Sequence, residues 1–145
     1  MKKITLNLLV AAVIVLFLFT GCDKYHRDRY TGTWEFTTEM VYFNNLPDPI
    51  ILKRDTVYYM GEICLENTES GIIIKYTVND EISAWLDKEG YIYHKDGWTL
   101  GKGATGQFES KDKMHLNSFW GGYVPLEGVS KYRTDYIRGT KKGRR

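Results

Sequence analysis

An antiparallel β meander of about eight or nine strands, closed into a barrel, is the architecture this chain calls for, and three observations point to it. Beyond residue 30, apolar and aromatic residues alternate with polar ones at a period of two. Turn-forming clusters interrupt that alternation about every 8–12 residues, the spacing of an all-β domain. No apolar stripe at helical spacing follows residue 22. Successive hairpins make antiparallel neighbours. A meander of this length left open would expose two unpaired edges, so closure is its natural end state.

The first strand opens at Trp34, where Trp34, Phe36, Thr38, Met40 and Tyr42 alternate with Glu35, Thr37, Glu39, Val41 and Phe43. Residues 44–49, Asn-Asn-Leu-Pro-Asp-Pro, end it, because proline lacks the amide that a central ladder needs. Val57, Tyr59, Gly61, Ile63 and Leu65 then face one way, and Thr56, Tyr58, Glu62 and Glu66 the other. Gly61 is where a bulge or bend would curl the sheet. Residues 67–71 turn the chain, and Ile72 to Val78 run back. Asn79-Asp80 is predicted as a two-residue hairpin, since both residue types tolerate positive φ. Ile82, Ala84 and Leu86 share the next inner face; residues 87–90 turn again, and Tyr91 to His94 form a short strand. Asp96-Gly97 is the strongest hairpin signal in the chain. Trp98–Leu100, Ala104–Glu109 and Met114–Trp120 continue the pattern, and a longer loop with Pro125 leads to a closing strand over Val129–Gly139. The expected core is Trp34, Phe36, Val57, Tyr59, Ile63, Leu65, Ile72, Ile74, Tyr76, Leu86, Phe108, Leu116 and Tyr136.

The amino terminus has a different character. Met1-Lys2-Lys3 is followed by an unbroken apolar run of 12 residues, Leu8 to Phe19, then Thr20-Gly21 and Cys22. That order is a secretory signal helix, with an apolar segment too short to span a bilayer comfortably. Leu18-Phe19-Thr20-Gly21-Cys22 resembles a bacterial lipoprotein signal, with Phe19 where leucine is usual. The resemblance implies cleavage before Cys22, a thioether-linked diacylglycerol on its sulfur and an acylated amine. Several acyl chains anchor stably where one does not. The expected organisation is a signal peptide over 1–21, a lipid-anchored polar tether over 22–30, the barrel over 31–140 and a basic tail over 141–145.

Composition excludes some partners. The full chain carries 20 Lys and Arg against 18 Asp and Glu. Loss of Lys2 and Lys3 with the signal leaves 18 against 18, and a neutral domain lacks the basic face that nucleic acid demands. With Cys22 lipidated, Cys64 is the one remaining cysteine and no disulfide can form within the chain. No acid–base partner stands near Cys64 in sequence, so it reads as a half-buried strand residue.

Tyr30-Thr-Gly32-Thr-Trp34-Glu-Phe36 resembles the Gly-x-Trp opening of lipocalin-like barrels. In that family a tryptophan plugs one barrel end and a basic residue of the last strand packs across its ring. The resemblance gives these roles to Trp34 and Arg138, with Arg133 the alternative, as a cation–π pair. The opening, the tether and the closing Gly139-Thr-Lys-Lys142 are also similar to small single-domain lipoproteins of Bacteroidota. That likeness implies the cell envelope, and the outer membrane in particular. The chain is shorter than a true lipocalin and leaves no room for a carboxyl-terminal helix, which weighs against a deep ligand cavity.

Motifs with chemistry are sparse. Gly101-Lys-Gly103-Ala-Thr-Gly106 has the glycine spacing of a dinucleotide fingerprint but no helix pattern after it, so the glycines read as a hairpin. His26 has no second ligand nearby, and His94 and His115 are expected on outer strand faces. No metal, cofactor or catalytic residue is nominated. Glu35 and Glu39 share a strand face about 13 Å apart, beyond the ~5–9.5 Å of a glycosidase pair. Carboxylates of different strands that meet in a cleft would reopen hydrolysis. Tyr58, Trp85 and Phe119 stand on otherwise polar faces and make the expected binding surface, since aromatics there offer area and a polar handle. The function expected is non-catalytic binding of a small amphipathic molecule or glycan by a lipid-anchored envelope protein. The alternative is a protein-interaction module, either an envelope accessory subunit or an inhibitor resembling small barrel lipoproteins that block host lysozyme.

Overall fold

Eight antiparallel strands close on themselves in chain order: β1 (Gly32–Asn45), β2 (Pro49–Leu65), β3 (Gly71–Lys75), β4 (Glu81–Leu86), β5 (Tyr91–His94), β6 (Lys102–Ser110), β7 (Lys113–Val124) and β8 (Val129–Lys141). A single 3-10 turn, Arg27–Tyr30, precedes them. This computed structural model describes residues 27–45, 49–95, 102–124 and 129–143. The expected signal, the expected lipidation site and the expected Asp96-Gly97 hairpin with its Trp98–Leu100 strand lie outside the described residues. Among the described residues, no helix is long and apolar enough to cross a membrane.

Register arranges the inward side chains in rows across β6, β7, β8, β1 and β2. The lowest row is Phe108, Met114, Gly139, Phe36 and Tyr59, and the next is Gly106, Leu116, Ile137, Thr38 and Val57. Above them come Ala104, Ser118, Asp135, Met40 and Asp55, then Lys102, Trp120, Arg133, Tyr42 and Lys53. The barrel is therefore apolar at one end and charged at the other.

Trp34 lies beneath the lowest row and is fully buried. Its ring packs with Phe36 and Phe108 at centroid distances of 6.3 and 5.7 Å, and its Nε1 donates to the Tyr30 carbonyl at 2.8 Å. Tyr30 stacks on Phe108 at 3.9 Å and is buried, so the 3-10 turn seals this end. Gly32 links turn and strand at φ +117°, a conformation that a side chain disfavours. The residues expected as tether thus divide: Arg27–Tyr30 belong to the barrel. At the other terminus Lys141 continues β8 and donates to the Arg29 carbonyl at 2.6 Å, while Lys142 bridges Glu35.

Several local expectations are corrected. The β2 strand starts at Pro49 rather than near Thr56, because the first residue of a strand tolerates proline. Gly61 pairs regularly with Trp34; the register shift falls instead between Tyr42 and Phe43, where Leu52 is the extra residue. Gly61 is needed for a close approach, since a Cβ there would collide with the Lys75 carbonyl oxygen and crowd the Phe36 ring. The β3–β4 connection spans Tyr76–Asp80, not two residues, and no non-glycine residue described has positive φ. Thr77 builds it: its Oγ1 donates to Asp80 Oδ2 at 2.8 Å and accepts the Asp80 amide at 2.9 Å. Leu65 ends β2 at the rim and is 43% exposed, Val57 and Tyr59 are only half-buried, and Tyr136 is 48% exposed beside buried Ile137.

Strand lengths differ across the barrel. The β3, β4 and β5 strands have 5, 6 and 4 residues against 17 in β2. Only Glu62 to Leu65 of β2 pair with β3, so the long strands β2, β1, β8 and β7 rise above a low wall.

Trp34→Ala, measured by chemical denaturation, is expected to cost about 3–5 kcal/mol, as buried aromatic truncations do. A loss under about 1 kcal/mol would remove Trp34 from its sealing role.

Candidate functional site

The open end is built by the inner face of β8. Ile137 sits in the apolar row between Thr38 and Leu116, and period two then points Asp135 and Arg133 inward above it. Asp135 has no solvent exposure. A buried carboxylate needs partners, and it has two: Tyr76 Oη donates to Asp135 Oδ2 at 2.9 Å and Arg133 Nη2 at 2.8 Å. The same Nη2 lies 2.9 Å from Asp80 Oδ1 in the β3–β4 loop. Arg133 therefore ties that loop, on the low wall, to the tall strands.

Electrostatics follow from this burial. Burial pushes the Asp135 carboxyl above its ordinary range, against the opposing pull of Arg133 and Tyr76. Burial also raises the Tyr76 phenol, and the Asp135 charge adds to the effect. For Arg133 the burial cost is overridden by the two aspartates, which hold the guanidinium protonated.

Above the pair lies a row of alternating character: Lys102, Trp120, Arg133, Tyr42, Lys53. Lys102 Nζ and the Arg133 guanidinium stand 4.8 and 5.6 Å from the centroid of the Trp120 ring, and Lys53 Nζ is 6.0 Å from that of Tyr42. A cavity of about 430 Å³ opens here, lined by Tyr42, Asp80, Trp120, Gly121, Tyr132 and Arg133. A larger depression of about 950 Å³ lies at the sealed end, among Asp28, Thr31, Met60, Asp112 and Gly143. Its lysines are committed, Lys141 to the Arg29 carbonyl and Lys142 to Glu35, and no aromatic ring lines it. The mouth is the better site, because charge, aromatic surface and concavity coincide there.

Sequence reasoning placed the site elsewhere. Tyr58 projects from β2, Trp85 from β4 and Phe119 from β7, all on the outer face and on separate walls, so they do not form one surface. Trp85 pairs with Tyr93 across strands and carries Lys95 4.9 Å over its ring. Phe119 stacks on Tyr132, which stacks on Phe43, at 5.6 and 5.5 Å. Arg138 is exposed on the outer face opposite Thr37, while Trp34 points inward, so the two do not meet. Tyr136, expected in the core, and Arg138, expected against Trp34, share one face of β8 with Tyr132 and Thr134, and that face is the outer one. Arg133, the alternative partner for Trp34, does point inward, but at the opposite end and over Trp120. The signal missed was a charged pair, Arg133 and Asp135, flanking Thr134 in a strand that must be half inward.

Other groups bear on chemistry. His115 lies on the outer face, as expected, with Nδ1 3.0 Å from the Glu109 Oε1 that accepts from it, whereas His94 takes the inward position opposite Ala84. Burial raises the Cys64 thiol, with Glu62 adding to the shift, which disfavours the reactive thiolate. Among the described residues no group of three or more His, Cys, Asp or Glu is placed to hold a metal. Asp80 and Asp135 are carboxylates of different elements that meet at one Arg133 nitrogen, Nη2. Arg133 stands between them, and Asp135 is sealed from solvent. The chain matches no family model, no curated protein and no solved structure.

Because the folded state holds the Asp135 proton to higher pH than the unfolded chain, its contribution is greatest below about pH 4 and is lost as pH rises through the folded value. Denaturant unfolding of parent and Asp135→Asn at pH 4 and pH 7 is therefore expected to show the variant gaining on the parent at the higher pH. A gap moving the other way would make Asp135 a carboxyl held low by its ion pair.

Proposed function

We propose that this chain is a lipid-anchored binding module of the cell envelope, on a lipocalin-like barrel, whose mouth takes a small amphipathic molecule or a glycan. One observation carries the reading: the barrel is filled and sealed at the Trp34 end but opens at the other into a cavity of about 430 Å³. That volume falls within the roughly 300–1,000 Å³ of small-molecule sites. Trp120 and Tyr42 offer ring surface, and the Arg133–Asp80 bridge offers donors and acceptors at fixed positions. Binding without catalysis is the role proposed, since Arg133 engages both aspartates. The leader ending at Cys22 supports anchoring, and the sealed end follows that residue closely in sequence, so the mouth would face away from the lipid.

A protein partner is the second reading, favoured by the upper part of β2. Ile50, Ile51, Leu52, Tyr58 and Met60 are each more than half exposed on a stretch paired to β1 on one edge and to no described strand on the other. Such an edge is a template for strand addition.

Native mass spectrometry of the mature Cys22→Ser chain, purified from the organism that encodes it, tests the first reading. A retained small molecule is expected, and Trp120→Ala should lose it while keeping the parent's far-ultraviolet spectrum. A bare mass together with stoichiometric capture of an envelope protein would transfer the function to β2. Separately, an alkyne-tagged fatty acid fed to cells should label the parent and leave Cys22→Ser unlabelled; equal labelling of both would remove the anchor.

A further inference from the structure

The mouth sets cations around aromatic rings, and among the described residues one of them has no carboxylate partner. Register brings Lys102, Trp120, Arg133, Tyr42 and Lys53 side by side on the inner face of five adjacent strands. Arg133 is matched by Asp80 and Asp135, and Lys53 bridges Asp55 at 2.6 Å. Lys102 has no carboxylate within bridging distance among the described residues, and its ammonium sits 4.8 Å from the centroid of the Trp120 ring. The Arg133 guanidinium is at 5.6 Å from that same centroid. Two cations on one indole repel each other, and the ring quadrupole offsets only part of the cost. An anion between them would remove it. Asp55 and Asp135 stand one row below, and Asp80 lines the cavity but is held by Arg133 and Thr77, so none of the three answers Lys102.

We infer that the mouth ligand is an organic anion: a carboxylate, sulfate or phosphate monoester joined to a flat or apolar body. The inference rests on the binding role proposed for the mouth and sharpens it. The anionic head meets Lys102 and Arg133 at the rim of Trp120, in charge-assisted hydrogen bonds. The body lies toward Tyr42, where the cavity continues. Neutral glycans would leave the Lys102 charge unanswered and are the weaker fit.

Isothermal titration of the mature Cys22→Ser chain with two matched probes, 2-naphthoate and neutral 2-naphthalenemethanol, separates charge from shape. At low salt 2-naphthoate is expected to bind at least about tenfold tighter, with the difference shrinking as salt rises because the rim is exposed. Lys102→Met, a change at an exposed strand start, should erase the preference and leave thermal unfolding unaltered. Equal affinity for the two probes, or a preference that survives Lys102→Met, would overturn the anion assignment while leaving the mouth a binding site. Absence of binding by both probes, with a bare mass from the native preparation, would overturn the binding role and this inference together.

Discussion

A carboxylate with no exposure to water must be answered from within, and Asp135 imposes that requirement on the open half of this barrel. Arg133 and Tyr76 answer it directly. Through Arg133 the demand passes to Asp80, and through Asp80 to the loop that Thr77 shapes. Removing one member would strand a buried charge, which costs far more than the pair contributes in stability. The network's value is therefore positional. It fixes the β3–β4 loop against the tall strands, and it sets Arg133 over Trp120 at the height where the cavity opens.

The sealed half works by a different principle. Trp34, Tyr30, Phe36 and Phe108 fill it with ring against ring, and the polar handle of Trp34 is satisfied by the Tyr30 carbonyl. Stability is concentrated there, and it leaves the other end free to keep charge inside a β-barrel. Between the two halves, the row of Leu116, Ile137 and Thr38 is the boundary. One residue higher on the inner face of each strand, the side chains become Ser118, Asp135 and Met40.

Much of this was legible in the sequence. Period-two alternation and turn chemistry yielded the antiparallel closed meander, and the inner faces of β1, β4 and β7 follow directly from Trp34–Tyr42, Ile82–Leu86 and Met114–Trp120. The site was not legible for a physical reason. Pattern reading ranks faces by apolarity, and β8 inverts the ranking: its outer face carries Tyr132 and Tyr136, its inner face Arg133 and Asp135. Polar residues belong inside only when partners from distant strands are supplied, and Tyr76 lies 59 positions away from Asp135 in the chain. The loop at Tyr76–Asp80 escaped for a similar reason, because Asp80 serves both the loop, through Thr77, and Arg133 across the mouth. Trp85 and Phe119 read in sequence as lone rings on polar faces, yet Lys95 lies over the Trp85 ring and Phe119 stacks on Tyr132.

The interdependence of Arg133 and Asp135 is open to one direct measurement, a double-mutant cycle on unfolding free energy with Arg133→Met and Asp135→Leu. Arg133→Met leaves Asp135 with Tyr76 alone and Asp135→Leu leaves Arg133 with Asp80 alone, so the two are expected to couple strongly, with the double variant no less stable than the worse single one. Additivity within about 0.5 kcal/mol, the behaviour of independent sites, would contradict the pair as the organiser of the mouth.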